Sequence, residues 1–554
     1  MTTAKNIKLE TVVKGMISNQ AHYVASPNSW SYLENLDNDR LGELTSRPAI
    51  YAISTAFDTI NPLPTTGVDF GGVGFFYANT NTKMLVVLNT DILVYSANIS
   101  GQISVNTIVG AATVFPFSRI RFANLAGVTF WNRNGNGLSY TIDSTTVQGF
   151  NPLFTRVDLL NAGFNGRFWG ANSNESPENT GKVYFSNVID YTSQATVLTT
   201  ATIASNYIQI NTKGKNIKAM VDQDNILYNF TTDAIFRIYN PQSGDNSPMS
   251  NVGAYSQESV AVHTDSIFFM GPAGIFELSG GAVTRISTPI DDILKSINVF
   301  ADTSNGNFNT RCFSWTDEQN VYFSADIKPN ISFLSSFQEK TIIFKYNTIN
   351  KQWSMSSLQD VRINAAGTLY PDVSSQSNFD YFPITVIAGT LIKTPGTGAR
   401  VGQWGTTFTN MSKPNSGQYS PMGDWSSINI NKSNEKTLAI KPIYCHGETQ
   451  WLTFGAENVE KRISGLSLAT ENASGFKLYY QIDDQNMQAS DSQNAVWTEI
   501  GDVTDKYITF FRNFKTEAFY RIKFKISGNT LGAQPVKIGE MRFLQITNLG
   551  YGEQ

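Results

Sequence analysis

Residues able to carry acid, base or metal chemistry are few and scattered along the chain. It has three histidines, His22, His263 and His446, and two cysteines, Cys312 and Cys445. No two histidines stand at zinc-ligand spacing. The one soft-ligand pair, Cys445-His446, joins neighbours that on a strand point to opposite faces, so a strand with one of the two buried is expected there. A serine or cysteine nucleophile needs a histidine base held by a third group. Gly465-Leu466-Ser467-Leu468-Ala469 approaches a nucleophile elbow but ends in alanine, with no helix signal after it, and reads as structural. Thr180-Gly181-Lys182 lacks the upstream glycine of a phosphate-binding loop. Asp37-Asn38-Asp39 with Gly42 has the outline of a calcium loop, yet Leu41 fills a ligand position.

Paired carboxylates for glycoside hydrolysis would come from distant parts of the chain, so spacing cannot display them. The acids gather mainly in loop-like stretches such as Asp483-Asp484, and no repeated Ser-x-Asp-x-Gly-x-x-Trp box occurs. Nine tryptophans could serve as sugar platforms, but Trp169, Trp353 and Trp404 are expected to fill sheet interiors. This reading assigns no catalytic, cofactor-binding or metal-binding residue, and no cofactor.

The elements that would position any site are short strands. With 554 residues, 41% hydrophobic and 16% charged, the chain can bury two large cores. Its formal net charge of −4 argues against a surface built to neutralise phosphates or anionic lipid. Two distant cysteines make no disulfide framework and suit a reducing compartment. Neither a signal-like start nor an apolar run of about 18 residues is found, so synthesis in the cytoplasm and no membrane span are expected.

Glycine and asparagine punctuate short runs of aromatic and β-branched residues, the pattern of strands joined by turns. Gly74-Phe75-Phe76-Tyr77, Met84 to Leu88 and Ile92 to Tyr95 make the first hairpins. Similar pairs follow at Val128 to Trp131 with Leu138 to Tyr140, at Gly166 to Trp169 with Val183 to Phe185, and at Ile226 to Tyr228 with Ile235 to Tyr239. The series continues with Ile267 to Met270 paired to Ile275 to Leu278, and with Thr341 to Phe344 paired to Lys351 to Trp353. A period of about 40 residues marks a β-propeller, here with six or seven blades between residues 47 and 405. A large β-sandwich is the alternative for this region. One helix is expected, with Thr288 as cap, Pro289 in its first turn and Ile290, Ile293, Leu294 and Ile297 on its buried stripe.

Residues 406–424, rich in glycine, serine and asparagine, read as a linker. Residues 425–554 read as a C-terminal β-sandwich, with strands at Leu438 to Ile440, Trp451 to Phe454, Phe476 to Tyr480 and Tyr520 to Ile526. In the last of these, Lys and Arg alternate with apolar residues, one face to a core and one to water. Residues 1–46, too polar and irregular for a blade, read as a docking arm. The expected architecture is all-β.

Three blocks carry a resemblance. The first runs from Pro27-Asn28-Ser29-Trp30 through Asn35 and Arg40-Leu41-Gly42 to Arg47-Pro48, with Ala49 where a glycine often follows. The second is Tyr255 to Ser259, Asp265 to Phe269, Gly274 to Phe276 and the helix to Ile297. The third extends from Trp451 to Gly455 through Lys461-Arg462-Ile463 to Phe543-Leu544. Together they resemble the packaged-DNA stabilisation, or tail nozzle (tail hub), family of short-tailed phages. The resemblance implies a non-enzymatic virion protein of the tail that forms a ring, usually six-fold, below the portal and its adaptor. Such a ring extends the DNA channel and helps to retain packaged DNA until ejection. The partners implied are other copies of the chain, the adaptor or other tail rings, tail fibre or needle proteins, and genomic DNA passing without specific binding. An acidic balance suits a wall past which DNA must slide. A carbohydrate-binding or glycoside-hydrolysing propeller, as a receptor-binding tail component or a free enzyme, is the alternative.

Overall fold

The computed structural model describes residues 5–9, 15–18, 29–40, 43–47, 50–52, 70–77, 82–88, 91–97, 103–108, 120–125, 127–132, 138–146, 148–150, 159–171, 181–200, 206–244, 247–298, 312–327, 340–359, 361–369, 384–391, 399–404, 423–424, 441–454, 459–483, 497–504, 507–530 and 535–551. His22, residues 406–422 of the expected linker and the expected strand at 438–440 lie outside them. The chain is nearly all β, arranged as many small antiparallel sheets.

Between residues 50 and 404 seven sheets follow one another along the chain. The first four begin at Phe70–Tyr77, Phe122–Leu125, Leu159–Ala162 and Ala219–Gln223, and each runs as a four-stranded meander. The fifth begins at Val260–His263, and the sixth is built around Asn320–Ile327, Lys340–Asn347 and Gln352–Gln359. The seventh takes Val361–Leu369, Ile384–Leu391 and Ala399–Trp404, and is completed by Ile50–Ala52 from the other end of the chain. Every hairpin expected from the apolar runs is a ladder here. The turns explain their tightness. Asp224 and Asn225 both have positive φ between Gln223 and Ile226, as do Gly280 and Gly281 between Ser279 and Ala282, the backbone that two-residue hairpin loops require.

Successive sheets pack on one another through their first strands. Phe70–Tyr77 lies against Phe122–Leu125, that strand against Leu159–Ala162, and the next against Ala219–Gln223. Further on, Val260–His263 lies against Phe313–Thr316, which meets Val361–Leu369, and this strand returns to Phe70–Tyr77. Gly74 allows one of these approaches, because a Cβ there would fall 2.2 Å from the ring of Phe122. Arg121, just ahead of the second sheet, reaches Glu258, just ahead of the fifth, with Nε–Oε1 at 3.0 Å and Nη2–Oε2 at 3.4 Å.

The expected helix is shorter than its apolar spacing suggested. Thr288–Ile290 form a 3₁₀ turn, Asp291–Leu294 one α turn, and Ile297 already belongs to a strand. Thr288 does not cap it; Ser287 stands at the N-cap, its Oγ donating to Asp291 Oδ1 at 2.8 Å. Ile290 and Ile293 are buried among residues of the fifth and sixth sheets. A second helix, Gln194–Thr200, went unforeseen; it buries Val197 against the second and third sheets.

Two larger sheets use both ends of the chain. One runs Trp30–Glu34, Tyr444–Thr449, Arg521–Asn529, Phe476–Asp483, Thr498–Asp502. The other runs Leu36–Arg40, Glu43–Ser46, Lys537–Tyr551, Val459–Glu471, Ile508–Lys515, with Lys5–Leu9 also on Lys537–Tyr551. Their inward residues, among them Leu478, Phe524, Leu468 and Phe543, share one buried core. Trp451 to Phe454, expected as a strand, makes a single bridge, Leu452 to Ile522. The segment read as an arm supplies strands to both sheets, and Trp30, Leu33, Leu36 and Leu44 are in their core. The polar stretch Asp37 to Arg40 and the pair Glu34-Asn35 had hidden these inward apolar positions. Leu33→Ala is expected to cost about 2–5 kcal/mol in a chemical denaturation experiment, whereas the same change in a projecting arm would cost nothing measurable.

Candidate functional site

Two features gather polar side chains in numbers that a plain sheet does not need. The first is buried where residues 34–47 cross from one large sheet to the other and meet the sixth small sheet. Asn35 sits at the crossing with φ of 59°, a conformation that asparagine tolerates better than most residues. Its Nδ2 donates to Tyr444 O at 2.7 Å and to Ser357 Oγ at 3.1 Å. Its Oδ1 accepts from Arg47 Nε at 2.7 Å and from Ser357 N at 2.8 Å. The guanidinium of Arg47, fully buried, also donates to Ser357 O at 3.1 Å. Glu34 accepts from Ser357 Oγ at 2.5 Å and from Tyr32 at 3.3 Å. Burial and then the charge of Glu34 hold the Tyr32 hydroxyl protonated well above its ordinary range. Beyond it Asp37 pairs with Lys345 at 3.2 Å and accepts from Ser354 at 3.0 Å, while Asn38 donates to Gln352 at 2.5 Å. Asp37 and Asn38, which opened the calcium-loop outline, are spent on this junction.

The second feature lies on the outer face of the five-stranded large sheet. Along Arg521–Asn529, Ile522, Phe524 and Ile526 go inward and Arg521, Lys523 and Lys525 outward. Lys525 Nζ stands 4.4 Å from the ring centre of Tyr479 and 4.8 Å from that of Trp497. Lys523 also lies over Trp497, and Arg521 over Trp451, each at 5.8 Å. Trp30, Trp131, Trp169, Trp315 and Trp353 are buried. Trp451 and Trp497 are therefore the described tryptophans left partly exposed, and both border the same basic strand. Next to them Glu448 accepts from Lys523 at 2.5 Å and meets His446 Nε2 at 2.9 Å. Burial opposes ionisation of Glu448, but the Lys523 charge and the His446 contact outweigh it and bring its carboxyl down to about 2.

The other residues weighed from sequence fall apart in space. Cys445 is buried in the core and hydrogen-bonded to Asn35 O at 3.4 Å, while His446 turns to the outer face. His263 contacts Glu318 O and Thr264. Ser467 lies mid-strand between the buried Leu466 and Leu468. Gly181 has φ of 81° in a turn ahead of Lys182–Phe185. Among the described residues, no group of three or more His, Cys, Asp or Glu could hold a metal ion. Trp169 and Trp353 fill sheet interiors as expected; the side chain of Trp404 is outside the described residues. Sequence reading missed the cationic and aromatic face, although the Lys and Arg alternation in Tyr520 to Ile526 was its visible half. Trp497 comes from a segment with no strand signal ahead of it, and only folding brings it there.

No family model matches the chain, and no curated protein matches it. Among solved structures, a chain of the mitotic checkpoint complex is similar over 62% of this chain and 94% of its own length, at 10% identity and a TM-score of 0.36. PorZ, a surface component of the type-IX secretion system of Porphyromonas gingivalis, is similar over 63% and 57%, at 10% identity and a TM-score of 0.26. Likenesses of this degree carry no argument about fold or function.

Glu448 makes one pH prediction. Its folded carboxyl titrates near 2 against an ordinary 4.5, so its contribution to stability is complete above about pH 4.5 and fades as pH falls toward 2. Glu448→Gln should lower stability at pH 7 by on the order of 2 kcal/mol. The gap to the unsubstituted protein should close toward pH 2 when both are unfolded in urea across this range.

Proposed function

We propose that this chain is a structural component of a short-tailed phage tail, built as a seven-bladed β-propeller followed by a two-layer β-sandwich and assembling with its own copies into a ring around the DNA channel. The propeller reading rests on the order of the seven sheets, on the return of the seventh to the first, and on the closing strand Ile50–Ala52. The Arg121–Glu258 pair supports it independently. Sheets packed at about 10 Å in a straight row would put the second and fifth about 30 Å apart, yet these side chains meet at 3.0 Å. Sheets wrapped around one axis bring them together.

The observation that carries the tail reading is the position of Asn35 and Arg47. They belong to the leading block through which the sequence resembles the tail nozzle family, and they form the buried junction between the propeller-like and the sandwich-like parts. A ring under the load of packaged DNA needs its parts locked in that way, and it needs no catalytic constellation. An assembly surface is also at hand. Ile508–Lys515 is an edge strand paired, among the described residues, only with Val459–Glu471. Ile508 and Phe510 on it, and Tyr507 just ahead of it, leave 38%, 51% and 80% of their surfaces exposed. The strand also carries the exposed charges of Arg512 and Lys515, the usual guard on such an edge, but its exposed apolar residues leave an intersubunit contact a surface to cover.

A second reading, a carbohydrate-binding tail component or free protein, is favoured by Trp451 and Trp497, the partly exposed aromatics beside a basic strand.

Electron microscopy of the purified protein, with mass by light scattering, tests the ring. Closed rings with an opening wide enough for duplex DNA are expected, and Phe510→Glu should shift them toward monomer without lowering thermal stability. A protein that stays monomeric both alone and with a portal–adaptor complex would sink the tail reading.

A further inference from the structure

On the outer face of the five-stranded sheet, charge is matched nearly everywhere. Lys523 has Glu448 at 2.5 Å and Lys477 has Glu499 at 2.9 Å. Lys525 differs. Among the described residues it has no ion pair, although it is half withdrawn from water between the rings of Tyr479 and Trp497. Burial lowers the affinity of its amine for a proton, and Glu448 opposes this only in part. A cation moved out of water without an anion is unfavourable unless something restores its partner. The two rings also fix the ammonium in place, so an incoming anion would lose little freedom in meeting it.

We propose that Lys525, Tyr479 and Trp497 form a binding site for an acidic sugar, whose carboxylate pairs with the Lys525 ammonium while its pyranose face lies on Trp497. Trp451 beside Arg521 offers a second stacking position further along the same face. This assignment rests on the carbohydrate-binding reading and names its ligand class. A single sugar carboxylate fits better than a nucleic-acid backbone because the unmatched charge is single rather than a track.

The test uses the full-length protein, penta-galacturonate as the acidic probe, a neutral dextran oligomer and a ten-nucleotide oligothymidylate, with binding read by calorimetry and tryptophan fluorescence. Penta-galacturonate should bind, more weakly as salt is raised, and dextran should bind far less. Lys525→Met, which keeps an aliphatic stem between the rings, should weaken penta-galacturonate by about tenfold or more, and Trp497→Ala should do the same while removing part of the fluorescence change. Circular dichroism of both variants guards against a folding defect, and Lys525→Arg should retain binding. If acidic and neutral sugars bind alike and Lys525→Met changes neither, the glycan reading stands and this assignment fails. If no sugar binds the unsubstituted protein, both fail, whereas the ring reading is untouched because microscopy judges it separately. Binding of the oligothymidylate alone, lost in Lys525→Met, would overturn the assignment in favour of nucleic acid.

Discussion

The amide of Asn35 is the point on which the remaining architecture depends. Its side chain makes four hydrogen bonds, two given and two accepted, to Tyr444, Ser357 and Arg47. Its backbone adds more, with its N–H donating to Met355 O and its carbonyl accepting from Arg47 N and Cys445 Sγ. An amide buried this deeply is tolerable only when nearly all its hydrogen-bonding capacity is used. Because the two large sheets share a core through the same short segment, a displaced Asn35 would misplace Leu33 and Leu36 together. Polar specificity and apolar burial thus act on one stretch of backbone.

Around that junction the fold solves a problem of small parts. A four-stranded meander of strands mostly three to eight residues long cannot bury both its faces alone. Here each is covered by the next in order, and glycine backbones such as Gly74 let aromatic rings close the gap. The aromatic interiors follow from this, with Phe130 against Phe168 and Phe230 against Phe269 bridging one sheet to the next. The long-range pair Arg121–Glu258 then links sheets that are not neighbours in the series.

Much of this was legible in the residues. Hairpins were visible because short unbroken runs of aromatic and β-branched residues stood between turn residues, and the strand Tyr520 to Ile526 displayed its two faces outright. The helix at 288–297 was overread because Ile297 continues the helical spacing while its backbone already joins a strand; tertiary pairing with Ile327 outweighed the local signal. Residues 30–46 were misjudged for the opposite reason. Their apolar positions are sparse and broken by acids and amides, so periodicity was weak, and the acids and amides proved to be the buried contacts themselves. The cationic and aromatic face was half visible, since spacing along one strand cannot reveal a tryptophan delivered by another segment.

The pairing of the chain's two ends sets the order in which it can become native. Ser46 bonds across 490 residues to Val536, and Ile50–Ala52 must wait for Ala399–Trp404 before the seventh sheet is whole. During synthesis the leading segment, with Trp30, Leu33 and Leu36, therefore emerges long before its partners exist. Contacts of such sequence separation slow folding and prolong the exposure of apolar surface and strand edges. The middle sheets, each made of consecutive strands, can form as the chain appears. Maturation is thus a late clasp around a core assembled earlier, and the leading residues are the stretch for which a ribosome-associated chaperone has the longest time to act.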